Sequence, residues 1–290
     1  MEKHRTIAFI GGDRRQVEAI KFFLKDDFIV HSFGLPGIQH ENVRNFTSLS
    51  EELFNVDFVV LPIPYKNKAG FIPTQVEDLA IKPEEIVRHL KNATTLFLGR
   101  VDEEFINCMK HKKVIYFDIL QEESFSILNA IPTAEGAIQI AMERTDITLH
   151  GSNALVLGYG RIGKVLSRML KGVGANVTVE ARKDQDLAWI MENGYIGVHL
   201  EDLASVLPKQ DIIFNTVPHM ILDRKKLQYV NSEALIIDLA SYPGGVDFDA
   251  AAQLGIKASL ELGLPGIVAP KTAGKIIYQV IHQLMKGNRK

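Results

Sequence analysis

A single cysteine, Cys108, in 290 residues excludes an intramolecular disulfide framework and a cysteine-based zinc cluster, and suits a reducing compartment. It is expected to be a structural thiol. Neither sign of charge prevails: 33 Lys and Arg stand against 35 Asp and Glu, and neither sign is massed in one tract. That balance argues against a nucleic-acid-binding or polybasic membrane surface. No run of about 18 uncharged apolar residues is present, as a spanning helix requires. The start, Met1-Glu2-Lys3-His4-Arg5, leads straight into a strand pattern without the apolar stretch and cleavage site of a signal peptide. No export is expected, and the location is read as cytoplasmic. Apart from His219, the histidines show no metal-ligand spacing, so no metal site is expected. A small-molecule partner remains.

What is abundant is apolar sequence, 46% of the chain, enough at this length for two cores. Short runs rich in Val, Ile and Phe alternate with amphipathic stretches, the pattern of strands covered by helices on both faces. The fold class is α/β, with two Rossmann-like domains of mostly parallel sheets and a dinucleotide site in the second. In the first half strands are expected at 6–11, 28–33, 57–62, 95–99 and 113–118, with helices at 14–25, 83–91 and 103–110. Residues 62–83, rich in Pro, Gly and Lys, are expected as a long loop at the strand ends. The second half repeats the alternation at 153–157, 176–180, 211–216, 235–239 and 257–261. A helix starting near Pro132, with proline in its first turn, is expected to connect the halves. The expected division is an N-terminal substrate or partner domain at 1–131, a connecting helix and linker at 132–150, and a dinucleotide-binding domain at 151–268. Residues 269–290, with a helix at 271–286, are expected to pack back toward the first domain.

Gly158-Tyr159-Gly160-Arg161-Ile162-Gly163 follows the apolar strand 154–157 directly and opens an amphipathic helix. A GxGxxG string is weak alone and strong in this context. Gly158 permits the tight turn, Gly160 lets the backbone approach a pyrophosphate, and Gly163 lets helix and strand pack closely. The amides that open the helix, at Arg161 and Ile162, then face the phosphates.

The next strand, 176–180, should end where a carboxylate grips the ribose of NAD, which makes Glu180 one candidate. This domain also resembles the D-2-hydroxyacid dehydrogenases. Counting as in that family puts Ala181 at the acidic position, followed by Arg182 and Lys183. A missing acid followed by two cations suits the 2′-phosphate of NADP, which a guanidinium can bind through paired charged hydrogen bonds. NADP is therefore favoured through Arg182, with NAD left open. Further along, Asn215-Thr216-Val217-Pro218 and Asp238-Leu239-Ala240-Ser241 follow apolar strands and are expected to meet ribose or nicotinamide. Capping a helix or closing a turn is the alternative use for Asn215 and Asp238.

Several separated strings carry a wider resemblance: Gly11-Gly12-Asp13-Arg14-Arg15-Gln16, Ile131-Pro132-Thr133-Ala134-Glu135-Gly136, His150-Gly151-Ser152 and Pro243-Gly244-Gly245. The most distinctive is Gly263-Leu264-Pro265-Gly266-Ile267-Val268-Ala269-Pro270-Lys271-Thr272-Ala273-Gly274. Spread over nearly the whole chain, they resemble the A subunits of dipicolinate synthase. The resemblance implies NAD(P)-dependent oxidation of dihydrodipicolinate to dipicolinate, pyridine-2,6-dicarboxylate, on a branch of the lysine pathway. It also implies partnership with the flavoprotein-like B subunit of dipicolinate synthase, and expression in the mother cell of a sporulating bacterium.

A dicarboxylate substrate needs cations. Arg14 and Arg15 begin the first helix, where the helix N-terminus also favours an anion. Lys271 and Thr272 begin the last one, and Lys271 holds a position like that of a catalytic histidine in related dehydrogenases. Thr133 and Glu135, at the expected start of the connecting helix, are further substrate candidates with capping as their alternative. His219 is a candidate proton acceptor, because an imidazole titrates near neutrality. The turn at Gly11-Gly12 lacks the full glycine pattern, so no second dinucleotide is assigned there. The alternatives are a D-2-hydroxyacid dehydrogenase-like oxidoreductase, weakened by lysine following Pro270, and a non-catalytic nucleotide-binding partner protein. Homo-oligomer formation is left open.

Overall fold

The structure is a computed structural model that describes residues 5–287. Residues 1–4, read as part of the approach to the first strand, and the last three residues of the expected 269–290 segment lie outside the described residues. The chain divides into two compact units, one running through Asn129 and resuming at Ala269, the other spanning Ala130–Val268.

The first unit begins β1 (Thr6–Ile10), α1 (Arg14–Lys25), β2 (Ile29–Phe33), β3 (Val43–Phe46) and β4 (Phe58–Val60). It continues α2 (Pro83–His89), β5 (Thr95–Leu98), α3 (Glu103–Met109) and β6 (Ile115–Asp118), and the start of α4 (Glu123–Arg144). The strands are all parallel, in the order β3-β2-β1-β4-β5-β6. Burial on both faces makes β1 apolar beyond Thr6. Ile7 and Phe9 pack with Ala19, Ile20 and Phe23 of α1, while Ala8 and Ile10 pack with Leu61, Leu96 and Phe105 on the other side.

The second unit carries β7 (Asn153–Leu157), α5 (Arg161–Gly172), β8 (Asn176–Ala181), α6 (Asp184–Glu192), β9 (Ile196–His199), α7 (Leu203–Val206) and β10 (Ile212–Asn215). Then come α8 (Arg224–Leu227), β11 (Leu235–Asp238), α9 (Phe248–Gln253), β12 (Lys257–Leu260) and α10 (Leu264–Val268). Its parallel order, β9-β8-β7-β10-β11-β12, is the doubly wound arrangement that binds ligands where strand order reverses. Here that point lies between β7 and β10.

The final helix, α11 (Pro270–Gly287), belongs to the first unit and lies beside α1. A Cβ on Gly274 would stand 2.6 Å from the Arg15 carbonyl oxygen. One turn on, Tyr278 stacks on Phe22 with centroids 5.6 Å apart, and its hydroxyl donates to Asp26 at 2.6 Å. Burial, with Asp26 second, pushes that phenol up to about 12. Both sets of contacts advance together, so α1 and α11 run parallel and present their N-termini at the same end.

Two expectations are corrected, and two strands come without one. The helix expected near Pro132 begins at Glu123, with Pro132 inside it. Proline cannot supply the bond to the carbonyl four residues back, but the preceding turns are held by tertiary packing, with Phe125 in the first unit's core. Residues 132–150 are accordingly part of the second unit, with Ala134, Ala137 and Ala141 buried in its core. The edge strands β3 and β9 were not expected; Val43–Phe46 and Ile196–His199 are largely exposed and carry no apolar run.

Candidate functional site

The glycine-rich turn divides its glycines between two tasks. A Cβ on Gly163 would lie 2.0 Å from the Gly158 carbonyl oxygen. Gly158 itself has φ +92°, with Thr216 Oγ1 2.8 Å from where a Cβ would be. The fold needs both glycines. Gly160 has nothing within 4 Å of its missing Cβ and φ −79°, so the fold does not require glycine there and the space above it is open. Gly160 is also the N-cap of α5 and supplies no side-chain acceptor for the first amides of this twelve-residue helix. A pyrophosphate fits these surroundings.

The corresponding turn in the first unit is closed. Asp13 caps α1, accepting from the Arg15 amide at 2.8 Å, while the Gln16 side chain accepts from the Asp13 amide at 2.9 Å. The Gly12 amide donates to the Pro73 carbonyl at 2.6 Å, and a Cβ on Gly11 would lie 2.4 Å from that oxygen. The irregular 61–82 segment thus fills the place a phosphate would take. The expectation that the α1 N-terminus attracts an anion is corrected here, because Asp13 already supplies one.

At the end of β8, Ala181 is buried while Arg182 and Lys183 are exposed. His199 Nε2 lies 3.2 Å from the Arg182 carbonyl oxygen. Glu180 is only 2% exposed, so it turns inward rather than out to a ribose. Its Oε2 accepts from the Gly158 amide at 3.1 Å, and burial raises its carboxyl above the usual range, against that hydrogen bond and the charges of Arg182 and His199.

Asn215 and Asp238, expected to meet the cofactor, are both fully buried and use their side chains within the fold. Asn215 Nδ2 donates to Asp238 Oδ1 at 2.7 Å and to the Val217 carbonyl at 3.0 Å, and its Oδ1 accepts from the Val217 amide at 3.1 Å. Asp238 accepts from the Ala240 amide at 2.9 Å and the Gly245 amide at 2.8 Å. Thr216 donates to the Leu157 carbonyl at 2.8 Å. These residues shape the loops beyond β10 and β11, and their carboxamide and carboxylate are not available as direct ribose partners. Pro218 and His219 are exposed on the same turn.

The substrate candidates separate into two groups. Lys271 and Thr272 are exposed in the first turn of α11, at the same end as Arg14 and Arg15 in α1. Arg14 is exposed, but Arg15 is committed: its guanidinium binds both Asp13 oxygens, with Nη2 to Oδ2 at 2.8 Å, and donates to the Ile63 carbonyl at 2.8 Å. Arg15 and its amide in turn hold the Asp13 carboxyl below its ordinary range against the effect of burial. Thr133 and Glu135 lie mid-way along α4 in the second unit, and neither is a helix-start residue. The buried Glu180 carboxyl and the closure of the first turn were missed at the sequence level. The Asp13-x-x-Gln16 capping pattern was the available signal for the second.

Among the described residues no helix is long and apolar enough to cross a membrane. Residues 6–120 match the model of the N-terminal domain of the dipicolinate synthase A subunit, and residues 132–245 match that of the D-isomer specific 2-hydroxyacid dehydrogenase NAD binding domain. The dipicolinate synthase A subunit of Bacillus subtilis is 37% identical over 283 residues, 96% of this chain and 95% of that protein. The crystal structure of the A subunit from Bacillus halodurans superposes with a TM-score of 0.88 at 36% identity, covering 97% of each chain. The crystal structure of its Bacillus subtilis counterpart gives 0.87 at 34%, covering 99% of this chain and 97% of the other.

Proposed function

The chain belongs to the family of dipicolinate synthase A subunits, and from that premise we propose that it is an NAD(P)-dependent oxidoreductase converting dihydrodipicolinate to dipicolinate. The observation that carries this reading is the open turn at Gly160, where α5 begins without a side-chain cap, in a domain matched by a NAD-binding model. The reaction removes a hydride and a proton from the dihydropyridine ring and leaves the aromatic diacid. When bound, the dinucleotide supplies the hydride acceptor. Because the product is aromatic, positioning rather than a strong base is the main task of the protein.

Gly158, Gly160 and Gly163, with the first amides of α5 at Arg161 and Ile162, hold the pyrophosphate. Thr216, Val217 and Ala240 border the cofactor through their main chain, with Asn215 and Asp238 fixing their loops. NADP is preferred to NAD: the ribose carboxylate is missing at Ala181, Glu180 is turned into the fold, and the exposed Arg182 is positioned to take the 2′-phosphate. Lys271 pairs with a substrate carboxylate and orients the ring, aided by Thr272 and Arg14. Arg15 acts by holding Asp13 and the Ile63 loop, which its hydrogen bonds favour over direct substrate contact. His219 accepts the ring proton. The partner is the flavoprotein-like B subunit, in the mother cell of a sporulating bacterium.

The second reading, a nucleotide-binding partner protein that leaves the hydride step to the B subunit, is favoured by the commitment of Arg15 to Asp13, which removes one expected substrate cation. Turnover of freshly generated dihydrodipicolinate with NADP+, measured with and without the B subunit, separates the two. NADPH formation by the chain alone establishes the enzyme reading. NADPH binding by the chain with no turnover under either condition overturns it.

A further inference from the structure

Glu180 presents an unusual arrangement beneath the phosphate-binding turn. It pairs with Leu157 on β7 and Val198 on β9, both buried, so its carboxyl lies on an apolar face of the sheet. Oε2 has the Gly158 amide at 3.1 Å, an amide that also points at the Glu180 main-chain oxygen at 3.2 Å. Oε1 is buried and has no hydrogen-bond partner among the described residues. The charged groups acting on it are Arg182, just past the end of β8, and His199 on β9; neither makes an ion pair with it among the described residues. An ionised carboxylate carries about four acceptor sites, and one shared N–H satisfies it poorly. A neutral carboxyl can still accept from Gly158 through its carbonyl oxygen and carries no buried charge.

We propose that Glu180 is a positioning residue of the dinucleotide site, holding the Gly158 amide and with it the glycine-rich turn, and that dinucleotide binding takes up a proton at its carboxyl. The step is a protonation only: a solvent proton joins the carboxylate as the negatively charged pyrophosphate settles on the turn that Glu180 supports. Burial already favours the neutral form, and a nearby second negative charge adds to that preference. By linkage, binding weakens as pH rises through the range where free-protein Glu180 ionises and the bound form does not. The inference rests on the dinucleotide-binding reading above.

The test is titration calorimetry of the intact chain with NADH, which lacks a 2′-phosphate that would itself titrate. It is run in buffers of different ionisation heat at several pH values from mildly acidic to neutral. The wild type is expected to take up a fraction of a proton per NADH bound. Glu180→Gln, which keeps an acceptor for Gly158 and cannot ionise, is expected to bind without that uptake and to keep its affinity as pH rises. His199 and Arg182 are present in both proteins, so a purely structural role for Glu180 would leave the uptake unchanged. Equal uptake in the two proteins, or none in the wild type, overturns the proposal. Absence of NADH and NADPH binding at every pH would instead overturn the dinucleotide reading. If Glu180→Gln does not fold, infrared spectroscopy of the wild type decides: the carbonyl band of a protonated carboxyl must grow on addition of NADH, and an unchanged band overturns the proposal.

Discussion

At the scale of single residues, the proposed function assigns cofactor choice to Arg182 and substrate choice to Lys271. Arg182 is exposed beside a buried alanine, and a guanidinium there gains an ion pair and paired hydrogen bonds from a 2′-phosphate but only a single weaker hydrogen bond from a 2′-hydroxyl. Arg182→Ala is expected to weaken NADPH binding by about 1 to 3 kcal/mol while barely changing NADH. Fluorescence titration of both cofactors checks this, and equal losses would remove the argument. Lys271 is a cation at the positive end of an 18-residue helix, an unfavourable place that an anion would make favourable. Lys271→Met keeps the length without the charge. It should lower turnover at limiting substrate about tenfold, about 1.4 kcal/mol in transition-state terms, with cofactor affinity unchanged. Steady-state rates with the B subunit present measure it, and an unaltered rate in a folded variant rejects the role.

At the scale of elements, the two βα turns show how alike sequences reach different ends. In both units the first strand of the sheet is followed by a glycine turn and a helix. In the first the helix is capped by Asp13 and its turn is filled by Pro73; in the second the cap is Gly160 and the turn is open. The contrast sets a paired expectation. Gly160→Val should leave the thermal midpoint nearly unchanged and abolish NADPH binding. Gly163→Ala forces a Cβ to within 2.0 Å of the Gly158 oxygen and should cost about 1 to 3 kcal/mol of stability. Melting curves with and without NADPH distinguish the two, and a Gly160→Val protein that still binds normally would discredit the open turn.

The strands of the two sheet centres were legible because their residues are buried on both faces and therefore uniformly apolar. The edge strands β3 and β9 were not, since Arg44 and Asn45 in the one and Gly197 and His199 in the other break the apolar pattern. Pro132 misled for a related reason: local rules place proline in the first turn of a helix, and tertiary packing through Phe125 extends this one upstream of it. In the site, the glycine spacing carried its own geometry, whereas the fate of a polar side chain did not. Asn215 and Asp238 read as ligand contacts because they end strands. Their mutual hydrogen bond at 2.7 Å depends on β10 and β11 being neighbours, which no local pattern states.

At the scale of the whole molecule, two units of the same strand order differ at their glycine turns: the second leaves its turn open, whereas the first closes its own with Asp13 and, in the proposed function, contributes Lys271 and Thr272 at the start of α11. This division suits one dinucleotide and one anionic substrate per chain. The most direct measurement mixes the purified chain and the B subunit with NADP+ and freshly generated dihydrodipicolinate, and follows NADPH and dipicolinate in the same sample. Equimolar appearance of the two, one hydride for each ring made aromatic, is expected. Dipicolinate accumulating without NADPH or NADH, or neither product forming with a chain that binds NADPH, would contradict the assignment.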